Sequence, residues 1–171
     1  VYKRQKLEST EETLMKIRTI TREDIPAAMK MINEAKVNMK NMGIDQWQDG
    51  SPSTETLEKY VKHENGFINE DLTAFGALVE KDPDYKEYLS GNYVVLHTFV
   101  VDQSLRGKGI SDEFFDAILK IAVEKRYEIF GVDTHRDNKA MMTFIDRHDF
   151  TKLGDVFIDG VKPRIAFYKK L

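Results

Sequence analysis

Apolar and polar residues first alternate at Lys16-Ile17-Arg18-Thr19-Ile20, opened by Met15, and that period of two predicts a strand. Residues 1–14 before it are polar and carry no convincing period; they read as a leader, tag-derived or poorly ordered, with a native helical arm as the alternative. The domain is therefore taken as 15–171. After the strand the period turns helical. Thr21 can cap a helix with Glu23 and Asp24 in its first turn, Pro26 near its start and Ala27, Met29, Ile32 and Ala35 among its apolar positions, running to about Lys40. Residues 43–53 form a turn-rich loop around Trp47, and Ser53 or Thr54 restarts a shorter helix through Leu57, Tyr60 and Val61.

Two strand-like runs, 66–69 and 72–79, are separated by Glu70-Asp71 and read as an antiparallel pair, after which Asp82-Pro83-Asp84 breaks the pattern. Residues 93–101 are nearly all β-branched or aromatic, as in a central strand covered on both faces. A helix follows from Gly109 to about Lys125, with Phe114, Ile118, Ile121 and Ala122 at helical spacing. A strand at 128–133, a helix at 138–147, and strands at 155–158 and 164–169 around an Asp159-Gly160 turn complete the chain. Strands and helices intermix without a repeat, so the class is α+β, or mixed α/β, in one domain.

Composition narrows the chemistry. The 171 residues are 41% hydrophobic and 32% charged, ordinary for one globular domain. No apolar stretch approaches the ~20 residues that span a bilayer, and no signal pattern opens the chain, so the expectation is a cytoplasmic protein without membrane contact. Cysteine is absent, which excludes disulfides, thiolate metal sites and a cysteine nucleophile. The four histidines, His63, His97, His135 and His148, show no paired-ligand spacing, so no metal is expected. A net charge of -3 with scattered basic residues argues against nucleic acid as a partner.

The sharpest local feature is Arg106-Gly107-Lys108-Gly109-Ile110-Ser111, placed between a strand and a helix. Amide groups at a helix start are unpaired, glycine lets a ligand approach the backbone, and Arg106 and Lys108 add positive charge, which together suit an anion. A solvated surface turn is the plainer alternative. A Walker loop fails because Gly109 follows Lys108 where serine or threonine is required, and a dinucleotide fingerprint fails because Asp112 stands at its third small position.

At these residues the sequence resembles the GNAT superfamily of acyl-CoA N-acyltransferases, whose motif is Arg or Gln, two residues, Gly, one residue, then Gly or Ala. Here the positions are Arg106, Gly109 and Ser111, the serine being a small departure. The strand 96–101, the segment Asp133-Thr134-His135-Arg136-Asp137-Asn138 and the helix ending at Phe150 stand where such enzymes place cofactor-binding elements. Gly43-Ile44-Asp45-Gln46-Trp47, with Gly50 and Pro52, is similar to a bacterial subgroup. The likeness covers about Met15 to Leu171. It implies a GNAT-like fold, a twisted and mostly antiparallel sheet of about six or seven strands flanked by about four helices. It also implies acetyl-CoA (coenzyme A) as cofactor, and direct transfer to a primary amine of a small molecule or peptide in a ternary complex. On the same resemblance Phe99, Val100 and Val101 pair their main chain with the pantetheine arm, residues Arg106, Gly107, Lys108, Gly109, Ile110 and Ser111 hold the pyrophosphate, and Asn138 contacts the cofactor; Asn138 reads equally as a helix cap. The tyrosine such enzymes use as an acid is replaced by Ile145, and Asp149 stands where glycine commonly precedes Phe150.

Catalytic candidates follow from that placement. His97, Asp133 and His135 are the ionisable groups the reading brings beside the cofactor strand, with Tyr168 or solvent left to protonate the thiolate. A lone histidine in an apolar strand is also a common hydrogen-bonded core residue. Asp45, Trp47 and Asp49 suit an acceptor pocket for a cationic amine, against the alternative of a solvated acidic loop around a packing tryptophan. Two other functions stay open: a non-catalytic acyl-CoA-binding or regulatory module, and an interaction domain whose last strands form a homodimer face.

Overall fold

A computed structural model describes residues 14–171, so the expected leader lies outside the described residues except for Leu14. The elements are β1 (Ile17–Thr19), α1 (Ile25–Asn41), α2 (Thr54–His63), β2 (Gly66–Asn69), β3 (Ala74–Glu80), β4 (Tyr93–Val101), α3 (Ile110–Glu124), β5 (Ile129–Thr134), α4 (Lys139–Arg147), β6 (Thr151–Ile158) and β7 (Lys162–Lys170). Among the described residues the strands form one seven-stranded sheet in the order β1-β2-β3-β4-β5-β7-β6. Every neighbouring pair is antiparallel except β4 with β5, which α3 connects as a crossover. The expected class and architecture are found.

The ends of the elements follow from local chemistry. Thr21 makes a capping box with Asp24, but the box closes a single 3-10 turn, and α1 proper begins one step later with Pro26 in its first turn. Ser53 caps α2 with Thr56 in the reciprocal position. Asp82 caps the short 3-10 turn of residues 83–85, so the expected break is a built turn. β6 starts at Thr151, four residues earlier than its alternation suggests, because a register shift between Lys152 and Gly154 interrupts the period.

Alternating strand residues divide the core between two faces. Leu78, Val94, Leu96, Phe130, Val132 and Phe167 pack on one face beneath the aromatic side chains of α3 and α4. On the other face Ile68, Phe75, Ala77 and Val100 meet α1 and α2, while Val95 and Ala166 meet Tyr85 and Leu89 from the segment before β4. β4 is thus covered on both faces. Among the described residues no helix is long and apolar enough to cross a membrane.

Candidate active site

β4 parts from β5 after Leu96. The two strands pair from Tyr93↔Ile129 to Leu96↔Val132; beyond that, β5 continues along β7 with Asp133↔Ala166 and Thr134↔Ile165, while β4 stays with β3 to Ala74↔Val101. A cleft of about 440 Å³ opens in the wedge, within the range of small-molecule sites. A bulge marks the divergence. Phe75 faces Val100 and Ala77 faces His97, so Thr98 and Phe99 together oppose Gly76. Thr98 has a φ of 53°, an uncommon conformation for a β-branched residue, and its hydroxyl lies 2.9 Å from the Tyr60 hydroxyl. Gly76 keeps this place tight, since a Cβ would sit 3.1 Å from Leu96 Cδ1 and 3.2 Å from Phe114 Cε1, and those side chains would have to give by a few tenths of an ångström.

The Gly-rich loop forms one end of the cleft, which Arg106, Gly107, Gly109, Ile110 and Ser111 line; Lys108 is exposed and is not among the lining residues. Gly107 and Gly109 have φ of 77° and 76°, and a Cβ at either would meet open space, so both glycines are required by conformation. Within α3 the first amide to find a carbonyl one turn behind is that of Glu113, which donates to Gly109 O at 3.0 Å. The amides of residues 110–112 precede it and have no such turn behind them. Asp112 would oppose an anion there, but its carboxylate accepts from Arg147 Nη2 at 2.8 Å and lies 2.6 Å from His148 Nε2. Arg106 donates to Gln103 Oε1 at 2.7 Å, which holds the guanidinium at the rim.

The strand residues Phe99, Val100 and Val101 line the middle of the cleft, as does Asn138. Asn138 fulfils its alternative reading as well: Oδ1 accepts from the amide of Met141 at 3.1 Å and caps α4. Its Nδ2 donates to Gln46 Oε1 at 3.0 Å, and the same oxygen accepts from Thr134 Oγ1 at 3.3 Å. Gln46 thereby ties the loop after α1 to the end of β5. That loop is also pinned to α1, with Lys36 Nζ donating to Pro52 O and Gln48 Nε2 to Lys36 O.

The chemistry gathers on the face opposite α3 and α4. His97 on β4, Asp133 on β5 and Arg164 on β7 all line the cleft. His97 Nε2 lies 2.5 Å from Asp82 Oδ2, and Asp133 Oδ2 accepts from Tyr85 Oη at 2.6 Å. Burial alone would lower the His97 pKa; the bond to Asp82 and the charges of Asp133 and Asp84 outweigh it and raise the value above 6.5. Burial likewise opposes ionisation of Asp82, but His97 holds its carboxyl below the usual range. Desolvation pushes Asp133 up, against the opposing effects of His97 and the Tyr85 hydroxyl. Burial raises Tyr60 and Tyr85 above 10, so both hydroxyls stay protonated at neutral pH.

Four expected site residues lie elsewhere. His135 Nδ1 accepts from the amide of Asp137 at 3.1 Å in the turn before α4. Tyr168 pairs with Gly131 and Thr151 and packs beside the Tyr85 cluster, so neither it nor His135 lines the cleft. Asp45 is exposed outside the cleft, as is Lys108. Trp47 and Asp49 do line it, Asp49 as an ion-pair partner of Lys162. Ile145 is 1% exposed, so its position belongs to the core. The sequence pattern marks no role for Asp82, Tyr85, Gln46 or Arg164: Asp82 reads as a breaker and Gln46 as one letter of a motif, and only the fold brings Gln46 and Arg164 to the cleft and sets Asp82 and Tyr85 behind His97 and Asp133.

A sheet split between its fourth and fifth strands, with a glycine-rich helix start at the open end, defines an acetyltransferase-like architecture. The profile of the acetyltransferase (GNAT) family matches residues 31–150, and the chain belongs to that family. Its fold is similar to that of a GNAT-family acetyltransferase from Streptococcus agalactiae, with a TM-score of 0.81 and 24% identity over 92% of this chain and 95% of that one. It is also similar to a GNAT-family acetyltransferase from Listeria monocytogenes, with a TM-score of 0.71, 17% identity and coverage of 92% and 95%. A ribosomal-protein-alanine N-acetyltransferase from Brucella melitensis gives a TM-score of 0.68 at 18% identity, covering 92% of this chain and 100% of that one. A search of curated proteins returns no significant match.

Proposed function

We propose that this protein is an acetyl-CoA-dependent N-acetyltransferase that transfers the acetyl group to a primary amine by direct attack in a ternary complex. The observation that carries the reading is the wedge between β4 and β5, open at one end onto the unpaired amides of α3. Those amides, the two left-handed glycines and Arg106 fit a diphosphate. The bulged backbone at Thr98 and Phe99, which Gly76 alone opposes, fits an extended arm laid along β4. When bound, acetyl-CoA supplies a thioester carbonyl for attack and a thiolate as leaving group.

The protein's own groups handle the protons. An amine near its ordinary pKa of ~10 arrives as ammonium and loses one proton before it can attack. His97 in its neutral form accepts that proton at the cleft, and Asp82 steadies the resulting imidazolium. Tyr60, whose hydroxyl lies beside Thr98 at the bulge, donates a proton to the departing sulfur. It takes over the part that neither Ile145 nor Tyr168 is placed to play. A second N–H proton leaves to solvent as the adduct collapses, the third stays on the amide nitrogen, and the imidazolium proton of His97 restores the Tyr60 hydroxyl through solvent, so the products are the amide, the free thiol and one proton overall.

Two measurements test this. Isothermal titration gives binding of acetyl-CoA to the wild type and ~10–100-fold weaker binding to Arg106→Glu, because the reversed charge faces the diphosphate; equal affinities would remove the loop from the site. Thiol release with an accepted amine gives Tyr60→Phe a kcat lower by ~10–100-fold at unchanged acetyl-CoA KM. An unaltered kcat would assign the sulfur's proton to water.

A further inference from the structure

Arg164 is the least explained charge in the molecule. It sits on β7 with 9% exposure, yet among the described residues its one hydrogen bond runs from Nη1 to the neighbouring Pro163 carbonyl at 2.8 Å and no carboxylate lies within ion-pair distance, Asp133 feeling its charge only through space. Arginine is seldom this buried without a carboxylate partner, and the donors of its planar fork that no protein group accepts are left to whatever occupies the cleft. The side chain lines the cleft on the same face as His97 and Asp133. Lys162, two residues before it, is already held by Asp49 and Asp159, which among the described residues leaves Arg164 as the β7 cation that lines the cleft without an ion pair.

Resting on the acyl-transfer reading above, we propose that the acceptor is a small amine bearing its own carboxylate, an amino acid, whose carboxylate is bound by Arg164 while its ammonium faces His97 and Asp133. Both halves of such a zwitterion find opposite charge in one cleft. The ammonium meets Asp133 and the His97 ring, behind which Asp82 stands, and the carboxylate matches the guanidinium fork. A dianion suits the place poorly. One unpaired guanidinium faces it, and Asp49, Asp133 and Asp159 also line the cleft and would repel a phosphate. The loop bearing Trp47, tied down through Gln46, Lys36 and the Asp49–Lys162 pair, lines this end as a fixed wall, which suits a small acceptor.

Thiol release measured with acetyl-CoA and matched pairs separates the ideas: each of the twenty amino acids beside its carboxamide, together with an aminoalkyl phosphate and a simple diamine. The expected result is a kcat/KM for at least one amino acid ~30-fold or more above that of its carboxamide, carried mainly by acceptor KM. Arg164→Gln should bring that ratio close to one, and Arg164→Lys should restore part of it. Both variants should keep the wild-type acetyl-CoA affinity by titration and the wild-type melting temperature. Faster turnover of the carboxamides, the diamine or the aminoalkyl phosphate overturns the carboxylate assignment and leaves acyl transfer standing. Equal losses on acid and amide in Arg164→Gln overturn it too, as does a panel with no amino acid turned over. Failure of the wild type to bind acetyl-CoA overturns acyl transfer itself, and the acceptor assignment with it.

Discussion

Replacing His97 with glutamine lowers kcat by ~10²–10⁴-fold with an accepted amine, the range expected when a positioned general base is lost. The pH dependence identifies the group. Neutral His97 is the active form, so kcat/KM rises with pH through a limb above 6.5, where the carboxylates around the ring place its pKa. Asp82→Asn removes the closest of these carboxylates, 2.5 Å from Nε2, and moves the limb to lower pH. A limb due only to the acceptor's own ammonium would stay where it is in Asp82→Asn, and that result, or a wild-type profile in His97→Gln, would exclude the histidine. Stability carries the opposite sign. A histidine whose pKa is raised on folding stabilises fully below its unfolded value and loses that contribution as pH rises through the folded value. The pH range in which His97 becomes a competent base is therefore the range in which its pair with Asp82 ceases to support the fold.

The elements were legible because they rest on local rules. Periodicity places β4 and α3, and side-chain caps place the starts of α2 and α4 at Ser53 and Asn138. Where two positions of a period are interrupted, the rule fails: the early half of β6 is hidden by the register shift near Gly154. The bulge in β4 is hidden for a related reason. Thr98 satisfies every strand preference, and only its pairing across from Gly76 gives it a positive φ.

The site divides along the same line. The end proposed for the cofactor is contiguous in sequence, so the stretch from Arg106 to Ser111 is legible as one unit, and all of it except Lys108 lines the cleft. Its chemical end is assembled from four separate segments. Asp82 belongs to a turn, and nothing in Asp82-Pro83-Asp84 says that one carboxylate oxygen will cap that turn while the other meets a histidine fifteen residues later. Asp133, His135 and Asn138 look equivalent as neighbours in one segment, yet the strand ends between them. Asp133 still alternates onto the cleft face, whereas His135 lies in the turn and spends its ring nitrogen on Asp137. Tyr168 fails by distance along β7 and not by parity: it shares a face with Arg164 and Ala166 but lies beyond both, in the packed half of the sheet.

Phe115→Ala gives the largest loss of stability expected from a single side chain. The ring is 1% exposed and meets Phe130 and Phe144 edge-on, with centroids at 5.7 and 5.3 Å, and tilts against Phe150 at 5.8 Å. Its removal leaves a cavity walled by aromatics that cannot collapse, at a cost of ~3–5 kcal/mol. For a domain of this size that lowers the melting temperature by ~6–20 °C, measured by circular dichroism. Val123→Ala on the same helix is the comparison. Val123 is apolar but 53% exposed, so its truncation stays within ~0.5 kcal/mol. Helix propensity favours alanine in both variants, so equal losses would mean that the aromatic cluster holds α3 no more firmly than an exposed side chain does. The consequence reaches the site, because the amides at the start of α3 are positioned by the packing of its first turns. Phe114 stacks on Phe99 of β4 at 6.0 Å, and Phe115 grips α4 through Phe144 and His148. The same two adjacent rings therefore fix the helix start against both walls of the wedge, and Phe115→Ala should weaken acetyl-CoA binding at temperatures well below its own melting point.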